Sequence, residues 1–280
     1  MIFTTRAMQE IKDRLKGLGL ASSTIKTYSN ILQNFFKHIG KTTNITEQEI
    51  NDYLDHLIIV KNYSGRSRNL AMKIIRFYCR EFLNLKIDIK KAKETKPIPK
   101  ICEDNEFTQI MSVTQNIKHK LCLYLMRYSG LRKGEAIKVM KHHIQPDGRL
   151  FVKEGKGNKD RYTIIPPQIL EQLNAFISLL PVENPYIFQT HKGHYSPMTP
   201  QKILHNAFKK LGWHKSRWFG CHALRHSFTL WCVDSLRLDF DEVSKMLGHS
   251  AMRTTQIYTQ CRRINLQRAI EVCKDVSIIT

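Results

Sequence analysis

Between residues 86 and 100 the chain loses every trace of helical periodicity. The run Ile-Asp-Ile-Lys-Lys-Ala-Lys-Glu-Thr-Lys-Pro-Ile-Pro-Lys is basic and carries Pro97 and Pro99. Each proline removes a backbone donor and pushes the residue before it out of helical backbone. The stretch therefore reads as an extended linker, and it divides the 280 residues into a helical unit, 1–85, and a mixed unit, 101–280. A hydrophobic fraction of 42% is enough to fill a core in each unit and excludes wholesale disorder.

The first unit reads as four helices. Met8, Ile11, Leu15 and Leu18 recur at helical spacing before Gly19, and Ile25, Tyr28, Leu32, Phe35, Phe36 and Ile39 repeat the pattern behind Ser22 or Ser23 as N-cap. Thr46 and Glu49 form a capping box that opens the third helix, whose buried stripe is Ile50, Tyr53, Leu54, Leu57 and Ile58. The fourth, about 67–82, carries Leu70, Ile74, Ile75, Phe77 and Tyr78 on one broad side. Arg66, Asn69, Lys73, Arg76 and Arg80 gather within about a quarter-turn on another side. This face has one sign of charge and lacks the i,i+4 carboxylates of a solubilising helix. Its residue types suit phosphates and base edges, so the alternatives are a solvated face and a DNA-contacting one.

The second unit begins with helices near 104–114 and 117–129 and a short one after Arg132. A hairpin follows, from Arg149 through the turn at Gly155-Lys-Gly-Asn-Lys-Asp to Arg161-Tyr-Thr-Ile-Ile. A helix near 168–179, a short strand at 186–188, a helix opened by Thr199-Pro200, and further helices complete it.

Charge narrows the partner. With 45 Lys+Arg against 24 Asp+Glu the formal net charge is +21, which points to a polyanion, nucleic acid first. No run of about 18 apolar residues exists and no apolar signal core follows Met1, so the expected location is the cytoplasm, with no membrane partner. The seven cysteines are scattered, with no C-x-x-C pair, and read as reduced core thiols.

Three segments carry chemistry: Ser129-Gly-Leu-Arg-Lys-Gly-Glu-Ala136, the basic turn around Lys156, and the series His222-Ala-Leu-Arg-His226, Leu247-Gly-His249, Thr254-Thr-Gln-Ile-Tyr258. Each has a plainer reading alone. Gly-Leu-Arg could be a helix cap, and Gly-x-Gly lacks the helix of a nucleotide loop. His222 and His226 lack the glutamate of a zinc protease helix. Together they supply two guanidiniums for the non-bridging oxygens of a phosphodiester, a nucleophile, an acid and a base.

At this point the sequence resembles the tyrosine recombinase, or phage integrase, family, especially its short Xer-like members. The family's Gly-Leu-Arg-x-x-Glu box appears at 130–135, its hairpin Gly-Lys-Gly-x-Lys-x-Arg at 155–161 and its His-x-Leu-Arg-His box at 222–226. Leu-Gly-His stands at 247–249 and Thr-x-x-Tyr at 255–258. The resemblance implies a mostly α fold: a four-helix SAM-like core-binding domain, then an α+β catalytic domain with a small β-hairpin. It implies Tyr258 as the nucleophile forming a 3′-phosphotyrosyl link, Arg132 and Arg225 as clamps on the scissile phosphate, and Lys156 as acid for the leaving 5′-oxygen. His222 is then the base and His249 a hydrogen-bond partner of the phosphate, with no metal, ATP or other cofactor. Double-stranded DNA bearing a recombination site is the implied partner, bound by a homotetramer, with a monomer when free. Ala223, Cys221 and Gln260 depart from the family's usual residues without removing a reacting group.

An apolar stripe from Ile264 through Leu266, Ala269 and Ile270 to Cys273 suits a terminal exchange helix over about 263–275, docking in cis or on a neighbour. Two other readings stand beside recombination. One is a type IB topoisomerase-like relaxing enzyme. The other is a silent DNA-binding regulator, which has no reason to keep Tyr258, Lys156 and both arginines.

Overall fold

The computed structural model describes residues 2–94, 99–153, 160–191 and 193–248, with side chains from residue 7 onward. The chain divides into two compact units, with the boundary after Pro97.

The first unit is built on α1 (Ile2–Gly17), α2 (Ser22–Ile39), α3 (Glu47–Ile59) and α4 (Gly65–Leu83). Ile11, Leu15, Leu32, Phe35, Phe36, Ile50, Leu54, Ile74 and Ile75 are fully buried, as their spacing predicts, and Met72, which the spacing did not single out, joins them. Each such side chain contributes ~1.5–3 kcal/mol of burial. Thr46 and Glu49 form the expected reciprocal box: Glu49 N donates to Thr46 Oγ1 at 3.3 Å and Thr46 N to Glu49 Oε2 at 2.9 Å. Three details differ from the sequence reading. Ala21, not a serine, caps α2, and Leu18 and Leu70 remain 45% and 44% exposed. Leu70 stands at the edge of the apolar sector, where Ile74 and Tyr78 already fill the core side.

A larger difference concerns the segment after α4. Its first half is part of the helical unit. Ile87 and Ile89 are buried in the same core while Asp88 and Lys90 are exposed, a two-residue alternation of extended chain. Its polar backbone atoms are met by α4. Arg68 Nη1 donates to Lys90 O at 2.7 Å, Arg76 Nη2 to Ile89 O at 3.0 Å, and Asn69 exchanges bonds with Ala92 O and Ala92 N, both at 2.9 Å. Residues 95–98 lie outside the described residues.

The second unit contains α5 (Asp104–Val113), α6 (Ile117–Tyr128), α7 (Lys133–Ala136), β1 (Arg149–Val152), β2 (Arg161–Ile164) and α8 (Pro167–Ser178). It continues with β3 (Gln189–Thr190), β4 (Gly193–His194), α9 (Thr199–Lys210), α10 (Cys221–Asp234) and α11 (Phe240–Leu247). β1 and β2 pair antiparallel from Arg149↔Ile164 to Val152↔Arg161. The strand expected at 186–188 is displaced. Tyr186 makes only a bridge to Met140, and the pairing residues are β3 and β4. The core runs through Leu121, Leu125, Ile137, Leu150, Leu173, Phe188, Phe208 and Leu224. A small satellite of Phe228, Cys232, Val243 and Leu247 fixes α11 on α10. Cys79, Cys102, Cys122, Cys221 and Cys232 are buried free thiols, and burial pushes each above its ordinary pKa. Among the described residues no helix is long and apolar enough to cross a membrane.

Candidate active site

The site starts where α6 stops. Gly130 takes φ +64°, and a Cβ there would lie 2.4 Å from Phe228 Cδ1, so only glycine passes. The chain then restarts as α7 with Arg132 as its extended N-cap residue. Glu135 folds back on it: Arg132 N donates to Oε2 at 2.8 Å and Arg132 Nη1 to Oε1 at 2.7 Å.

Two further arginines converge on the same carboxylate. Arg161, the first residue of β2, donates Nη2 to Glu135 Oε2 at 2.7 Å and Nη1 to Oε1 at 3.1 Å. Arg225, on α10, places Nη1 3.8 Å from Glu135 Oε2 and donates to Gly130 O and Leu247 O. Arg161 Nε also donates to Met246 O at 2.8 Å. The last carbonyls of α11 are thus bound by guanidiniums from two other elements. The helix then ends on Gly248 at φ +64°, where a Cβ would lie 2.9 Å from Arg161 Cδ.

Burial alone would raise the pKa of Glu135. The hydrogen bonds and charge of Arg161, then the bonds from Arg132, reverse this and hold it at about 2, so the group is an anion throughout the physiological range. Three guanidiniums against one carboxylate leave the cluster with two net positive charges. The Arg132 side chain is 19% exposed against 4% for Arg225 and 5% for Arg161, so Arg132 offers the most accessible guanidinium. A site of this charge suits the non-bridging oxygens of a phosphodiester.

His222 stands at the exposed start of α10, three residues before Arg225 on the same helical face. Desolvation, then the charges of Arg225, Arg132 and Lys133, lower its pKa, with Glu135 opposing. A neutral imidazole is a proton acceptor. His226, one turn further on, is pushed to about 4 by burial and by the charges of His222 and Arg225. Among the described residues no group of three or more His, Cys, Asp or Glu side chains could hold a metal ion.

The structure therefore brings together Arg132, Arg225 and His222. Lys156, His249, Tyr258 and the segment 263–275 lie outside the described residues. Lys156 belongs by sequence to the connection between the paired residues Val152 and Arg161, and His249 directly follows Gly248. Of the basic stripe on α4, Arg66, Lys73 and Arg80 are exposed, seven residues apart and hence on one face. Asn69 is 2% exposed and Arg76 is partly buried, and both are engaged by residues 89–94. Arg161 is the residue whose role the sequence reading left out. Its signal was the two-residue period of β2, which places Arg161 and Thr163 on the buried face and Tyr162 outside.

A basic helical unit followed by an α+β unit with a cluster of three arginines around one carboxylate suits a protein that handles DNA, and the sequence matches one such family along most of its length. The chain belongs to the phage integrase family: residues 100–263 match that family, and residues 8–89 match the phage integrase N-terminal SAM-like domain. Tyrosine recombinase XerA of Pyrococcus horikoshii is 29% identical over 287 residues, covering 99% of this chain and 97% of the relative. Tyrosine recombinase XerD of Listeria innocua is 24% identical over 278 residues, covering 89% and 91%. Among solved structures, XerH bound to a palindromic difH substrate superposes with a TM-score of 0.71 at 18% identity, covering 96% of this chain and 85% of that one. A lambda integrase tetramer bound to a Holliday junction gives 0.73 at 17% identity, covering 89% and 75%. These two establish the shared fold. The expectation of a mostly helical recombinase fold with a small hairpin holds.

Proposed function

We propose that this protein is a site-specific DNA recombinase that cleaves and rejoins duplex DNA through Tyr258. The observation carrying this reading is the cluster of Arg132, Arg161 and Arg225 around Glu135, with the His222 ring beside it. The phenolic oxygen of Tyr258 attacks the scissile phosphorus, and its proton passes to His222. The bond from phosphorus to the 5′-oxygen breaks, and Lys156 protonates the departing oxygen. Arg132 and Arg225 offset the charge that builds on the non-bridging oxygens, and His249 donates a further hydrogen bond. The 3′-phosphotyrosyl bond keeps the phosphodiester's energy. A 5′-hydroxyl from the partner duplex can then attack it, returning a proton to Lys156 and releasing the tyrosine.

Strand exchange between two duplexes requires four protomers in coordinated pairs. The lambda integrase tetramer on a Holliday junction offers the precedent for a homotetramer. The segment 263–275 is the proposed link between protomers. The same reading has the protein work in the cytoplasm, alongside its DNA substrate.

The decisive experiment is single-turnover trapping on a nicked duplex that loses its 5′-hydroxyl fragment after cutting. An SDS-resistant protein–DNA adduct is expected, and it should form undiminished in excess EDTA because guanidiniums occupy the charge-neutralising role. Duplex binding with no adduct would make the chain a silent DNA-binding regulator.

DNA contact by α4 rests on Arg66, Lys73 and Arg80, the exposed members of its stripe. Lys73→Glu with Arg66→Glu should weaken duplex binding by about tenfold or more and flatten its salt dependence. Charge reversal at Lys209 and Lys210, in the last turn of α9, is the control. Equal affinity of the two double variants would leave the stripe a solvated face.

A further inference from the structure

Glu135 poses an electrostatic problem for a phosphate site. A carboxylate within reach of Arg132 and Arg225 orients them, yet its negative charge also repels the phosphate and cancels half of what the pair presents. The structure answers with Arg161. Its guanidinium makes two parallel bonds to the two carboxylate oxygens, the fork geometry in which Arg–carboxylate pairs are strongest. Its side chain is 5% exposed, so solvent screens the pair little. Its Nε is held by Met246 O, which fixes the fork's direction.

We propose that Arg161 is a positioning residue that neutralises Glu135, allowing the carboxylate to hold Arg132 and Arg225 in place without reducing the charge they offer the phosphate. This rests on the recombinase reading of the site. Formal charge states the consequence. The native cluster carries two net positive charges, Arg161→Met leaves one, and Arg161→Met combined with Glu135→Gln restores two. A purely structural role for Arg161 predicts the opposite order, because the double variant loses more native bonds than the single one.

The experiment measures single-turnover adduct formation on the nicked duplex, with duplex affinity and thermal unfolding recorded for every variant. Arg161→Met should slow adduct formation by roughly 10- to 100-fold while duplex affinity, set by many other phosphate contacts, stays within about threefold. Adding Glu135→Gln should recover at least about fivefold of that loss, since the unbalanced carboxylate is gone. A double variant no faster than the single one overturns the proposal. Should Arg161→Met fail to fold, Arg161→Lys carries the test. It keeps the positive charge but not the fork, so it should stay within about tenfold of the native rate, and a larger fall in the folded variant overturns the proposal equally. Failure of the native protein to form any adduct would instead overturn the recombinase reading itself.

Discussion

Tyr258→Phe is expected to bind duplex DNA as the native protein does and to form no covalent adduct. The substitution keeps the ring and removes one oxygen, so any change in affinity should stay within about twofold. Loss of the nucleophile should reduce adduct formation by at least about 10⁴-fold, because no other step in the scheme substitutes for it. The structure also argues against three other tyrosines as substitutes. Burial pushes Tyr53, Tyr78 and Tyr195 up to about 12, which makes each hydroxyl harder to ionise as well as harder to reach. Tyr78 already donates its hydroxyl to Thr42 O at 2.8 Å. The measurement is an SDS gel of the trapped nicked duplex beside a filter-binding titration. An adduct persisting in the variant would move the nucleophile to another residue.

What the sequence made legible follows from the range of each interaction. Helix positions and cores came through because they depend on spacing within a few turns: Thr46 and Glu49 cap α3 as expected, and Phe35, Phe36, Ile50 and Leu54 are buried as expected. The candidate site was legible in part because Gly130, Arg132, Glu135, His222 and Arg225 form short local patterns. Two features were not readable in this way. The basic stripe on α4 looked uniform, yet Asn69 and Arg76 turn to backbone atoms 13 to 23 residues away, which no helical projection can show. The alternation at Ile87 and Ile89 was present in the sequence, but a two-residue period is invisible to a search for helical spacing. Arg161 is the sharper case. Its bonds to Glu135 and Met246 span 26 and 85 residues, so its chemistry emerges only when β2, α7 and α11 meet.

Arg132 and Arg225 should separate in a way that sequence alone would not suggest. Both are expected to lose adduct formation by about 10²–10³-fold on replacement by alanine, since each removes a guanidinium from the developing charge. Their structural costs should differ. The Arg132 side chain is partly accessible and, among the described residues, bonds only within its own turn, to Glu135. Arg225 is 3% exposed, and its nitrogens hold the carbonyl that ends the α6 turn at Gly130 and the carbonyl that ends α11 at Leu247. Removing it strands two buried acceptors, each of which costs about 1–3 kcal/mol. Arg225→Ala should therefore destabilise the protein by about 2–4 kcal/mol, whereas Arg132→Ala should stay within about 1 kcal/mol. Arg225→Lys separates charge from geometry. A single ammonium cannot reach both carbonyls and the phosphate in one plane, so it should recover no more than about tenfold of the lost rate. Chemical denaturation and single-turnover trapping on the same preparations give both numbers. Equal stability of the two alanine variants would show that Arg225 does not tie α11 to the turn at Gly130, and a full native rate in Arg225→Lys would reduce its part in the reaction to charge alone.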